Sequence, residues 1–197
     1  MGEVEVKAAG REDGEWLAEV WRESWGDEIV VSRGRVFRLR ELPTLVAWVG
    51  GQRVGAATYR VEGDAAELTS LNAVVAGQGV GSALLRAVER VVRAAGVRRL
   101  WLITTNDNVD ALRFYQRRGF RLVRLHAGAV DEARRLKPAI PAIGEYGIPI
   151  RDELELEKAL DPGRRVSSSA GLVEGEKNRA DGASADDPLA GGASRDR

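Results

Sequence analysis

With 197 residues, 44% of them apolar, the chain is long enough for one domain with a real core and some surplus. Its 30 basic and 30 acidic residues cancel, and no long basic run favours nucleic acid or an anionic membrane, so the expected ligand is small. It has no cysteine, hence no disulfide framework, thiolate metal site or thiol nucleophile; its first residues are charged and no apolar stretch reaches membrane length, so a soluble cytoplasmic protein is expected.

Residues 4–8 read as a short strand, and Asp13 opens a helical pattern that puts Trp16, Leu17, Val20, Trp21 and Trp25 on one apolar face. Two apolar runs, 45–49 and 53–61, flank Gly50-Gly51, a pair that tolerates positive φ, which predicts a hairpin. Residues 67–75 form a further strand. A glycine run follows, and then a helix from near Ser82 in which Leu84, Leu85, Val88, Val91, Val92 and Ala95 repeat at helical spacing before Gly96 ends it. The unbroken Leu100-Trp101-Leu102-Ile103 marks 99–105 as a strand buried on both faces.

Asn108 stands where a helix N-cap belongs, with Asp110 in the first turn and Gly119 past the end. Residues 120–126 resume as strand, 130–136 read as a short helix, 137–149 as a proline- and glycine-punctuated loop, and 150–156 as a last strand. The domain is therefore expected over 1–161. Residues 162–197, rich in Gly, Ser, Ala and Asp, lack the apolar side chains to offset their ordering entropy and are expected to be disordered. Antiparallel strands followed by strand–helix–strand–helix–strand predict an α+β or α/β domain, in three layers, with a mixed sheet.

Two motifs carry chemistry. Gly77-Gln78-Gly79-Val80-Gly81 leads from strand to helix, and glycines let successive backbone N–H groups converge on a phosphate at the positive end of the helix dipole. A diphosphate is the natural guest, although a tight strand-to-helix turn needs small residues whether or not anything binds. One βα unit later comes the second motif, Asn108, Ala111, Phe114-Tyr115 and Gly119-Phe120.

With Ser82-Ala83-Leu84-Leu85 after the glycines, these two motifs resemble those of the GNAT superfamily of acyl-CoA-dependent N-acyltransferases, in element order over roughly residues 4–160. The resemblance implies a mostly antiparallel, twisted sheet flanked by helices, with splayed central strands. It further implies that acetyl-CoA serves as acyl donor, its pyrophosphate on the amides of Gly77, Gln78, Gly79, Val80, Gly81 and Ser82. The pantetheine arm would pair with the backbone of Asn72, Ala73 and Val74, with Asn108 and Ala111 beside it and Tyr115 near the sulfur. Where many family members carry Arg or Gln, this chain has Ala76. A charge-assisted phosphate contact is thus lost unless Gln78 or Arg86 substitutes, which predicts weaker cofactor affinity.

Acyl transfer to an amine needs a neutral nucleophile and a protonated leaving group. An amine of pKa about 10.4 costs about 4–5 kcal/mol to deprotonate at pH 7, so a carboxylate or a water path should assist. Glu67 is one candidate, since the resemblance places a base on that strand in some members; the alternative is a solvent-facing strand residue. Asp152 is another, because strand parity puts it on the apolar face with Leu154 and Leu156 while Glu153, Glu155 and Glu157 form a solvated face. An ion pair with an arginine is the alternative there. Tyr115 can protonate the departing thiolate, or be a core aromatic.

His126 is the only histidine, which leaves no histidine metal cluster and no Ser-His-Asp triad, and no metal is expected. Trp48 and Trp101 read as core rather than as acceptor-site walls. The leading reading is an N-acetyltransferase in which a small-molecule or peptide amine attacks acetyl-CoA directly, without an acyl-enzyme. A non-catalytic acyl-CoA sensor or regulatory module is the alternative, and a homodimer is left open. Dinucleotide binding on a doubly wound fold is disfavoured, because the glycine run follows several strands and no ribose-binding acid stands at the required offset.

Overall fold

The computed structural model describes residues 2–75 and 78–160. Ala76, Gly77 and the tail expected to be disordered lie outside the described residues. The strands are β1 (Glu5–Ala8), β2 (Ile29–Ser32), β3 (Arg35–Arg38), β4 (Thr44–Val49), β5 (Gln52–Glu62), β6 (Ala65–Ala73), β7 (Arg99–Thr105), β8 (Arg121–His126) and β9 (Glu153–Ala159). The helices are α1 (Gly14–Trp25), α2 (Val80–Ala94), α3 (Val109–Gln116) and α4 (Ala129–Leu136). Seven strands form one sheet in the order β1-β4-β5-β6-β7-β9-β8, and β2 and β3 pair as a separate hairpin. Within the large sheet β6 and β7 alone run parallel; the other neighbouring pairs are antiparallel.

Alternation along the strands divides the core. One face buries Leu45, Ala57, Leu68, Leu100, Leu102 and Leu156 against Leu84, Leu85, Val88 and Val92 of α2 and against Tyr115 and Phe120. Burying each such side chain contributes roughly 1.5–3 kcal/mol, which is why α2 is the best-anchored helix. On the other face Val46 and Ala56 meet Leu17, Trp21 and Leu39 in a smaller cluster. The predicted hairpin between β4 and β5 turns through Gly50 and Gly51, with φ of 56° and 80°.

Four expectations need correction. The last strand starts at Glu153, not at residue 150, because Asn106 Oδ1 accepts the N–H groups of Arg151 and Asp152 and holds that segment in a loop. The acidic run is not a solvated face: Glu153 and Glu155 are buried beneath the β2–β3 hairpin, which residues 29–38 build and which the sequence reading did not identify. Helix α2 begins at Val80, two residues earlier than expected. Trp25 and Val91, assigned to apolar helix faces, are each 37% exposed.

Candidate active site

The site starts from a break in the sheet. β6 and β7 are in register only over Ala65–Arg99, Ala66–Leu100 and Glu67–Trp101. Beyond that point β6 stays with β5 and β7 stays with β9, so the two parallel neighbours part and their facing edges carry backbone N–H and C=O groups with no strand partner. An extended polar chain can add to such edges as a strand would. Asn72 and Ala73 pair with β5 on their other edge, and the Val74 N–H donates to the Val54 carbonyl at 2.9 Å.

The chain then reaches α2 through Gln78 and Gly79. Gly79 has φ 74°, a left-handed conformation that costs an L side chain roughly 1–2 kcal/mol, and it places the first amides of α2 at an open helix end. Gly81 is constrained differently: a Cβ there would lie 3.3 Å from the Phe114 ring. Arg118 seals this corner. Its guanidinium stacks 3.6 Å from the Phe114 ring centroid and donates through Nε to Ser82 Oγ at 3.1 Å and through Nη1 to the Phe114 carbonyl at 2.8 Å. Desolvation lowers the pKa of Arg118 most, and the charges of Arg117 and Arg86 lower it further.

Within the parting lies a cavity of 680 Å3, walled by Leu68 and Thr69 of β6, Ile103 to Thr105 of β7, Trp25, residues 30–32 of β2 and residues 139–141 and 144–145. Its charged lining is Glu67, Asp107, Glu145 and Glu153 against Lys137, whose Nζ donates to the carbonyls of Trp25 and Ile29 at 2.7 Å each. The balance is anionic. Glu67 is 2% exposed, which removes the solvent-facing alternative; Ser32 Oγ donates to its Oε1 at 2.5 Å and Arg60 Nε to its Oε2 at 2.6 Å.

Asn108 caps α3, its Oδ1 accepting the Ala111 N–H at 3.0 Å, and itself lines the cavity. Tyr115 lies in the core, edge-on to Phe114 and Phe120 with centroids 5.1 and 5.5 Å away. Burial pushes its pKa far above the usual tyrosine value and Arg118 opposes this only in part, so the hydroxyl stays protonated. Asp152 stands apart from the cavity lining; its Oδ1 accepts the Gly128 N–H at 2.8 Å, ahead of α4.

Two residues that the sequence reading passed over matter here, and Trp25, which it assigned to an apolar helix face, lines the cavity instead. Arg118 was within reach as an arginine one turn after Tyr115. Arg33 had a signal of its own: Arg33-Gly34 separates the β-branched run Ile29-Val30-Val31 from the alternating Arg35-Val36-Phe37. Both turn residues have positive φ, 51° and 70°, and the turn aims the Arg33 N–H at Glu153 and its guanidinium over Trp101 at 5.0 Å.

A mixed sheet whose only parallel neighbours part above a glycine-led helix, with an anionic cavity in the gap, defines an acyltransferase-type scaffold. The chain belongs to the GNAT acetyltransferases: the model described as "Acetyltransferase (GNAT) family" matches residues 13–120. It is 42% identical over 147 residues to the uncharacterized protein YdhI of Bacillus subtilis (strain 168), covering 74% of this chain and 91% of that one. The fold is similar to that of the IAA acetyltransferase from Bacillus cereus ATCC 14579, with TM-score 0.60 and 22% identity over 80% of this chain and 100% of the other. A GNAT family acetyltransferase from Elizabethkingia anophelis with acetyl-CoA bound gives TM-score 0.60 and 18% identity, covering 80% and 98%. Among the described residues no helix is long and apolar enough to cross a membrane.

Proposed function

We propose that the protein transfers the acetyl group of acetyl-CoA to a small-molecule or peptide amine by direct attack in a ternary complex. The observation that carries this reading is the parting of β6 and β7 beyond Glu67 and Trp101, with the cavity opening inside it. The pantetheine arm adds to the free edge of β6 near Asn72, Ala73 and Val74. The pyrophosphate lies on the amides from Gln78 to Ser82 at the mouth of α2, and Arg118, Arg117 and Arg86 supply there the charge that the sequence lacks at position 76. Asn108 and Ala111, at the first turn of α3, border the arm. The anionic lining draws in a protonated amine. Tyr115, held protonated, is the donor for the leaving thiolate.

The proton balance is simple. An acceptor that docks as an ammonium ion loses one proton before attack; its lone pair then forms the C–N bond, the C–S pair leaves on sulfur, and the second nitrogen proton replaces the one Tyr115 gives up. Titration calorimetry with CoA, followed by an assay of CoA release from acetyl-CoA with a panel of amines, tests the reading. Binding with amine-dependent CoA release is expected; binding without product returns the non-catalytic sensor, and no binding overturns both.

A further inference from the structure

Of the four carboxylates that line the cavity, Glu67 and Glu153 are borne by strands on opposite sides of the parting, and they are wired differently. Glu67 sits at the vertex, where β6 still pairs with Trp101, and both of its oxygens are engaged by Ser32 and Arg60. A carboxylate with both oxygens already accepting, one of them from a guanidinium, is held by those partners and must break a contact to reach a substrate proton. Glu153 lies further out, opposite Thr105 of β7, 3% exposed and on the cavity wall. Among the described residues it forms no ion pair, and its one hydrogen bond is a long one from the Arg33 N–H at 3.4 Å.

We propose that Glu153 is the general base of the transfer, taking the first proton from the docked acceptor ammonium; the assignment rests on the transferase reading above. The step moves one proton from nitrogen to a Glu153 oxygen, leaving a neutral amine and a neutral carboxylic acid, which returns its proton to solvent after product leaves. Every charged neighbour has a part in this. Burial raises the pKa of Glu153 and the charge of Glu67 adds to it, while the Arg33 N–H, His126 and the Arg33 guanidinium pull the other way. Glu155, the next acid on the same face, is tied to Arg99 at 2.6 Å and to His126 at 3.0 Å, and Lys137 is spent on two carbonyls. Of the strand-borne acids Glu67, Glu153 and Glu155, Glu153 is thus the one left with capacity for a substrate proton, and a base of raised pKa is better matched to an amine than an ordinary one. Glu67 becomes a positioning residue, holding Ser32 and through it the turn that carries Arg33.

The test uses amines that differ in whether a proton must be removed. Wild-type and Glu153→Gln proteins are assayed for CoA release from acetyl-CoA with n-butylamine and benzylamine, which are protonated at pH 7, and with 4-methoxyaniline, which is neutral. Loss of a general base lowers kcat/KM by about 10²–10⁴-fold. That loss is expected for the two alkylamines, with the arylamine within about tenfold of wild type, unchanged CoA affinity by calorimetry, and partial rescue by Glu153→Asp. Alkylamine rates that survive the substitution overturn the assignment alone. So does an equal loss for both kinds of amine with CoA affinity kept. No transfer by the wild type to any amine overturns the transferase reading and this assignment with it. Should Glu153→Gln fail to fold, Glu153→Asp, which draws the carboxylate back by one methylene, decides: a fall in alkylamine rate with the arylamine rate kept supports the base, and an equal change for both refutes it.

Discussion

The two faces of the sheet are built by different means. Toward α2 and α3 the contacts are apolar side chains at helical and strand spacing, and the polar work of the cradle falls to backbone amides freed by small residues such as Gly79 and Gly81. Toward the β2–β3 hairpin the contacts around Trp101 are charges: Arg60 on Glu67, Arg99 on Glu155 and Glu157, Arg33 over Trp101. The first construction is held by packing and binds by geometry. The second binds by potential, so each of its charges depends on the partner it faces.

The largest expected effect follows from that dependence. Arg60 is 14% and Glu67 2% exposed in side chain, so Arg60→Met strands a buried carboxylate. Breaking one partner of a buried pair costs about 3–5 kcal/mol, whereas replacing both with apolar groups of similar volume is often neutral. Urea denaturation should therefore show a large loss for Arg60→Met and recovery of most of it in Arg60→Met/Glu67→Leu. A loss below about 1 kcal/mol, the median for surface pairs, would mean that this face is not held by its charges.

On the other face the corresponding break is steric. Gly81→Val drives a branched side chain into the Phe114 ring, and overpacking of this kind costs about 1–3 kcal/mol. Because the strain falls where α2 meets α3, CoA affinity should drop with stability. A variant that melts early yet binds CoA as before would separate the cradle from this contact.

Legibility in the sequence divides the same way. Helix α2, strand β7, the Gly50-Gly51 hairpin and the Asn108 cap were read because local periodicity and turn chemistry determine them within a few residues. The acidic face was misread because parity along residues 150–156 tells which side chains share a face but not which face is covered. What covers Glu153 and Glu155 is a hairpin more than a hundred residues away in sequence. Glu67 was singled out, yet its engagement by Ser32 and Arg60 has no local signal at all.

A smaller effect is expected at the mouth of α2. Arg118→Ala removes the guanidinium that bridges Ser82 and Phe114, and Arg118→Lys keeps a charge without the planar stack. Loss of one charge-assisted phosphate contact, about 1.4 kcal/mol or tenfold in Kd, is expected for Arg118→Ala, with a shallower dependence of CoA affinity on salt. Affinity and salt dependence both unchanged would return the cradle to backbone amides alone.

The smallest expected effect is one of sign, and it lies on a single strand. Burial pushes Glu155 up, but hydrogen bonds from His126 and Arg99 and the charges of Arg33 and Arg99 outweigh it, so its pKa ends below the ordinary 4.5. Such a group stabilises the fold above that value, and its contribution is lost as pH falls through the lower, folded pKa. Two residues earlier, Glu153 is raised above 4.5, chiefly by burial. The fold then prefers the acid form, so stability is lost as pH rises from the ordinary value through the higher, folded one. At pH 7, therefore, Glu155→Gln should lower the melting temperature and Glu153→Gln should raise it, with the Glu153→Gln gain fading once calorimetry is repeated at pH 4. Shifts of the same sign at pH 7 would show that the two acids share one environment, and the division of labour between a tethered and an untethered carboxylate would fall with it.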